Sequence, residues 1–129
     1  MRILGIGVDV VEIGRVERLL QRRPRFRERV FTADEVAYCE SKAAPAASYA
    51  ARWAAREAAI KALGGIRGLK WQDISVARAR SGAPRLSLSG SAKVRADELG
   101  VNEILVSFSH ERSMATAFCI AVTPGGSGG

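Results

Sequence analysis

A mixed α+β fold is predicted: one compact domain whose antiparallel sheet packs on a single long helix. Three observations carry the prediction. The stretch Ala46 to Leu63 is rich in alanine and free of glycine and proline until Gly64-Gly65, the pattern of a long helix with a glycine stop. Ile104, Val106 and Phe108 alternate, and Ala115 to Val122 is a β-prone run, so the two read as paired neighbouring strands. The chain of 129 residues, 47% hydrophobic and 26% charged, shows neither a repeat nor a composition break before Pro124, which leaves no argument for a second domain.

In chain order, Ile3 to Val10 reads as a short buried strand in which Gly5 and Gly7 permit close approach of another backbone. Asp9 falls near its carboxyl end. From Glu12 to Arg23, Ile13, Val16, Leu19 and Leu20 recur at helical spacing, while Arg15, Arg18 and Arg22 form a basic stripe on another face. Pro24 ends that helix. Thr32, with Glu35 three residues on, forms a capping-box pattern that opens a shorter helix through Tyr38. After the long helix, Asp73 to Ala79 and Pro84 to Leu88 read as strands around Ser81-Gly82-Ala83, and Ser89 to Leu99 reads as a helix stopped by Gly100. Ser109 to Met114 is expected to be a hairpin loop carrying the only histidine, His110. The domain is expected to span residues 1–123, with 124–129 as a flexible Gly/Ser tail.

A net charge of +7 implies attraction to anions, whether phosphates, nucleic acid or an acidic protein. No helix-turn-helix, zinc-finger or RNA-binding signature accompanies it, which argues against a small nucleic-acid-binding module. Cys39 and Cys119 lack metal-ligand spacing and are expected to be buried reduced thiols. Met1 to Val10 is too short and too interrupted for a signal peptide or a membrane span, so a cytoplasmic location is expected.

On the long helix, Trp53, Glu57 and Lys61 are spaced i, i+4, i+8 and project from one slowly turning face, with Arg52 and Arg56 alongside. The Glu57 to Lys61 spacing also describes a surface ion pair worth about 0.2–0.5 kcal/mol. Asp9 fits a helix cap as well as a site. His110 fits a solvated loop residue or a phosphate donor. Magnesium takes one or two carboxylates plus phosphate oxygens and water, so Asp9 and Glu57 would make an incomplete shell that substrate phosphates complete. Gly5 and Gly7 match neither a dinucleotide fingerprint nor a phosphate-binding P-loop.

The opening Ile3-Leu4-Gly5-Ile6-Gly7-Val8-Asp9-Val10-Val11-Glu12-Ile13 resembles that of the holo-acyl-carrier-protein synthases, a family of phosphopantetheinyl transferases. Phe31-Thr32-Ala33-Asp34-Glu35, followed by the segment from Arg52 to Gly64 with its Glu57 and Lys61 among alanines, is similar to that family's long-helix motif. Gly82-Ala83-Pro84-Arg85-Leu86 resembles its G-x-P-x-L hairpin, and Ser107-Phe108-Ser109-His110 its final loop. Two positions depart from the pattern: Arg56 stands where Lys is usual, and Met114 where Tyr is frequent.

The resemblance implies the compact α+β fold of the phosphopantetheinyl transferases, a homotrimer with sites at the protomer boundaries, and transfer of phosphopantetheine from coenzyme A to an acidic acyl carrier protein. On matching positions it implies Asp9 and Glu57 as ligands of Mg2+, and Glu57 and Lys61 as catalytic residues. Arg52, Lys61, Gly64, Pro84, Ser109 and His110 would contact coenzyme A, and Arg15, Arg18 and Arg22 would dock the carrier. Neither nucleic acid nor a membrane is implied as a partner. The geometry required is definite: Asp9 must approach Glu57, with Lys61 one turn further along the helix.

Overall fold

A computed structural model describes residues 1–78 and 80–124; Ala79 and residues 125–129, and with them all of the predicted tail but Pro124, lie outside the described residues. Strand β1 (Arg2–Glu12) leads into helices α1 (Ile13–Arg22), α2 (Phe26–Val30), α3 (Ala33–Glu40) and α4 (Pro45–Ala62). A 3-10 turn (Trp71–Asp73) precedes β2 (Ile74–Arg78) and β3 (Pro84–Leu88), and α5 (Gly90–Leu99), β4 (Glu103–Glu111) and β5 (Met114–Thr123) complete the chain. The antiparallel sheet of the prediction is three-stranded, in the order β1-β5-β4, and β2 and β3 form a separate antiparallel hairpin.

The register sorts every side chain of the sheet onto one of two faces. Gly7 pairs with Cys119 and Asp9 with Ala117, while Cys119 also pairs with Val106 and Ala117 with Phe108. These residues, with Gly5, Val11, Ala115 and Ala121, share the face against which α4 lies, and Ala115, Ala117, Cys119 and Ala121 are buried there. Both cysteines are buried free thiols, and burial pushes Cys119 up to about 12.

Close approach is what the two glycines of β1 provide. A Cβ on Gly5 would sit inside the carbonyl oxygen of Ala62, and one on Gly7 inside that of Ala58. Alanines on α4 complete the fit: Ala54, Ala55, Ala58 and Ala59 are fully buried. Since the Gly7 clash is with backbone, Gly7→Ala is expected to force helix and sheet apart at a cost of about 1–3 kcal/mol or more. A fall in the urea midpoint checks it; an unchanged midpoint would show that α4 can shift freely.

The structure corrects the prediction in three places. Ile3 to Val10 is not a short buried strand but part of the longer β1, whose Ile3, Ile6, Val8 and Val10 are exposed on the face away from α4. A five-residue helix, Phe26–Val30, occupies the arginine-rich segment after Pro24, where no element was expected. Its Phe26 and Val30 are the only apolar pair one turn apart there, too short a pattern to carry a periodicity signal. The expected six-residue loop carrying His110 is instead strand: Ser109 pairs with Thr116 and His110 with Ala115, and only Arg112 and Ser113 turn the chain, Arg112 at φ 55°. Polar residues that continue a ladder past the core edge look like loop in sequence, because what holds them in register is the partner strand.

Candidate active site

Alternation along β1 carries Asp9 to the α4 face, and the i, i+4 spacing on α4 brings Glu57 and Lys61 to meet it. Lys61 Nζ donates to Asp9 Oδ1 at 3.1 Å and to the Val8 carbonyl at 3.0 Å. The expected alternatives for these residues do not survive: Lys61 forms its ion pair with Asp9 on the sheet rather than with Glu57 on its own helix. Asp9 lies within β1, and the cap position of α1 is Glu12, which makes no side-chain capping bond.

Glu57 is the perturbed group. Burial raises its carboxyl pKa and the neighbouring Asp9 charge raises it further, while the Lys61 and Arg15 charges pull the other way. The Trp53 indole N–H is buried without a hydrogen-bond partner. Two carboxylates that repel each other beside one lysine make a donor set suited to a hard divalent cation such as magnesium, which needs few protein ligands. Among the described residues no group of three or more His, Cys, Asp or Glu converges, so an all-protein metal cage is absent there.

A carboxyl whose folded pKa lies above its unfolded one contributes to stability below the unfolded value, and that contribution is lost as pH rises through the folded value. Glu57→Gln is therefore expected to be at least as stable as the parent at about pH 8 without metal, and to show less stability gain on acidification toward about pH 5. Urea midpoints at the two pH values test this. A variant markedly less stable at the higher pH would mean the carboxylate is held by favourable contacts.

A second polar centre lies toward the other end of α4. Nine residues separate Arg52 from Lys61, about 13 Å along the helix. Here a cavity of about 270 Å³ is lined by Tyr38, Lys42, Ser48, Arg52, Arg78, Phe108 and His110, among others. Arg52 is 2% exposed; its Nη1 donates to the Ser48 carbonyl at 3.2 Å and to Ser48 Oγ at 2.9 Å, and its Nε has no partner. Three cations crowd one ring: Arg52 lies 4.3 Å, Lys42 4.5 Å and Arg78 5.2 Å from the Tyr38 centroid. Burial would raise the Tyr38 phenol, but the proximity of Lys42 and Arg78 outweighs it and holds the group below its ordinary value. No carboxylate is among the cavity's lining residues, so the cations are left to an external anion.

Residues 5–122 match the ACPS family, the 4'-phosphopantetheinyl transferase superfamily. The chain belongs to this superfamily. Its relatives include the holo-[acyl-carrier-protein] synthases of Moorella thermoacetica, 49% identical over 92% of this chain and 93% of the relative, and of Anaeromyxobacter sp. (strain K), 46% identical over 92% and 94%. Among solved structures, the synthase of Neisseria meningitidis superposes with a TM-score of 0.86 at 30% identity, covering 95% of this chain and 100% of that one. The Helicobacter pylori synthase in complex with coenzyme A superposes at 0.79 and 31% identity, covering 91% and 99%.

In this phosphopantetheinyl transferase the predicted site residues are not all gathered together. Asp9, Glu57 and Lys61 converge, with Gly64 just beyond the end of α4. Arg52 and His110 share the basic cavity, and Pro84 pairs with Arg78 at the mouth of the hairpin. Ser109 faces the opposite side of the sheet from His110, because successive strand residues alternate. Sequence reasoning missed Tyr38, Lys42 and Arg78: Tyr38 and Lys42 stand four residues apart at and just past the end of α3, a spacing that could have signalled their contact, whereas Arg78 comes from β2 and shares no spacing with them.

Arg15, Arg18 and Arg22 are exposed on α1 as predicted, but Arg15 is not simply solvated: its guanidinium lies 5.8 Å from the Trp53 ring centroid. Trp53 packs edge-on against Phe26 at 4.9 Å and Trp71 at 6.3 Å. A cavity of about 580 Å³ opens beside this cluster, lined by Phe26, Trp53 and Trp71 together with Arg23, Arg25 and Arg29. The basic surface thus continues past α1 into α2 and reaches the Glu57 centre through Trp53. Among the described residues, no helix is long and apolar enough to cross a membrane.

Proposed function

We propose that residues 1–123 form a holo-acyl-carrier-protein synthase unit that transfers 4'-phosphopantetheine from coenzyme A to a serine of an apo acyl carrier protein. The observation that carries this reading is the meeting of Asp9 on β1 with Lys61 and Glu57 on α4. A carboxylate pair beside a lysine is the chemistry that moving a diphosphate requires. The serine Oγ forms a bond to the β-phosphorus of coenzyme A while the bond from that phosphorus to the bridging oxygen breaks, and adenosine 3',5'-bisphosphate leaves.

Asp9 and Glu57 would hold Mg2+, which when bound supplies neutralisation of diphosphate charge. Lys61 offsets the charge that develops on the leaving group. The Glu57 carboxylate accepts the serine proton. Arg52 and His110 bind phosphate groups of coenzyme A in the basic cavity, joined there by Lys42 and Arg78. Lys61 and Gly64 contact the donor near its diphosphate, with Pro84 and Ser109 contributing at the protomer boundary. Arg15, Arg18 and Arg22 steer and dock the acidic carrier, so the enzyme serves fatty-acid or polyketide synthesis in the cytoplasm.

The outer face of the sheet supports a trimer. Ile6, Val8 and Val10 on β1 and Phe118 on β5 are 62%, 51%, 57% and 45% exposed, and the register makes them contiguous. Such an apolar face is expected to be covered by another copy of the chain. Phe118→Glu is expected to convert the trimer to monomer in light scattering and to lower transfer activity with it. A wild type that is monomeric at micromolar concentration sinks the trimer.

The function itself is tested by incubating the protein with coenzyme A, Mg2+ and an apo carrier. The expected result is a phosphopantetheine mass increment on the carrier serine. No increment with any carrier from a panel of fatty-acid and polyketide types would overturn the proposal.

A further inference from the structure

The loop after α4 is the least self-supporting backbone near the proposed diphosphate position. From Leu63 to Lys70 it forms neither helix nor strand, and Gly64, Gly65 and Gly68 all adopt positive φ, at 94°, 124° and 80°. Three glycines in one loop leave much conformational freedom to be removed on folding. Backbone bonds tie only its start to α4: the Leu63 N–H donates to the Ala59 and Ile60 carbonyls, the Gly64 N–H to that of Lys61 and the Gly65 N–H to that of Ile60. Beyond them, the strongest tether is a single side chain from a different element.

Arg95 of α5 reaches this loop from the side. Its Nη1 donates to the Leu63 carbonyl at 3.0 Å and to the Gly65 carbonyl at 3.1 Å, and its Nη2 donates to the Arg67 carbonyl. One planar guanidinium thus holds three carbonyls spaced two residues apart, a geometry that an ammonium cannot reproduce. It also places a positive charge beside the negative end of the α4 dipole, on the carbonyl of the C-cap residue Leu63. Arg95 and Lys61 therefore lie at the same helix end: Lys61 donates to Asp9, and Arg95 holds the carbonyls of the segment that follows the helix.

We propose that Arg95 is a positioning residue for coenzyme A, latching the Leu63–Arg67 segment in the conformation that receives the diphosphate and screening the α4 carboxyl terminus from it. The inference rests on the function proposed above. It is distinct from catalysis, since Arg95 touches backbone and not the reacting groups. A latch of this kind affects donor binding more than the chemical step.

The test compares wild type, Arg95→Ala and Arg95→Lys in the carrier-transfer assay, with KM for coenzyme A and kcat measured separately. Hydrogen exchange of the segment's amides is followed alongside. Arg95→Ala is expected to raise KM for coenzyme A about tenfold with kcat within about threefold, and to speed exchange in residues 63–67 while α4 stays protected. Arg95→Lys is expected to restore part of the KM. Unchanged KM for coenzyme A in Arg95→Ala, or a loss confined to kcat, overturns the latch. If Arg95→Ala does not fold, Arg95→Lys decides the matter alone: KM raised about threefold supports the proposal and unchanged KM refutes it. Absence of transfer by wild type is seen before any variant is compared, and removes the underlying function instead.

Discussion

Lys61→Ala is expected to lose about 10²–10³-fold in turnover while the protein stays folded, the size of effect seen when one preorganised donor to developing charge is removed. The separation of the two effects follows from where the lysine sits. Its side chain is 54% exposed, so losing its ion pair to Asp9 costs stability by less than about 1 kcal/mol. The same exposure puts Nζ where a substrate can meet it. Asp9→Asn is expected to lose activity comparably and to raise the Mg2+ concentration needed for half-maximal rate, because it removes one of the two carboxylates. Steady-state kinetics with a magnesium titration, alongside thermal melts, separates the two variants. Full activity in either one sinks the mechanism even though the family assignment would stand.

Arg56→Met is expected to destabilise the fold by about 3–5 kcal/mol, since it leaves a buried carboxylate without its cation. Arg56 and Glu35 are 0% and 3% exposed. Arg56 Nη1 donates to Glu35 Oε2 at 2.8 Å, its Nη2 reaches Oε1, and its Nε donates to the Trp71 carbonyl at 3.1 Å. Glu35 also closes the α3 capping box with Thr32 and accepts the Val76 N–H at 3.0 Å. One ion pair therefore ties α3, α4, the 3-10 turn and β2 together. Adding Glu35→Gln to Arg56→Met is expected to recover part of the loss, because the amide keeps an acceptor for Val76 without burying a charge. Arg56→Lys should fall between, since one ammonium cannot serve both Glu35 and the Trp71 carbonyl. Urea melts of the singles and the double form the cycle that measures this, and additive losses would show that the two residues are not coupled.

This network explains the first departure from the family's usual pattern. Where lysine is common, Arg56 uses its planar fork to reach two elements at once. Met114, the second departure, opens β5 opposite Glu111 and is 38% exposed; nothing in the structure explains the change there.

Much of the architecture was determined by the sequence alone, because local pattern suffices where an element is long and its periodicity is clear. Glycine-free Ala46 to Leu63 became Pro45–Ala62, the Thr32 and Glu35 pair became a real capping box, and Gly100 ended α5 in the left-handed conformation. Gly5 and Gly7 announced that some backbone must come close, and the i, i+4 spacing put Glu57 and Lys61 on one face. What spacing could not provide was a partner across the chain. That Lys61 pairs with Asp9 instead of Glu57, that Glu35 is a buried anion as well as a cap, and that Ser109 and His110 face opposite sides of a strand were decided by tertiary structure. The same holds for Arg78, which β2 brings to Tyr38 and Lys42 at the end of α3 to complete one basic cavity. The physical reason is common to all: helical and strand periods fix directions within an element, whereas charge pairing and burial depend on the register between elements, which only packing sets.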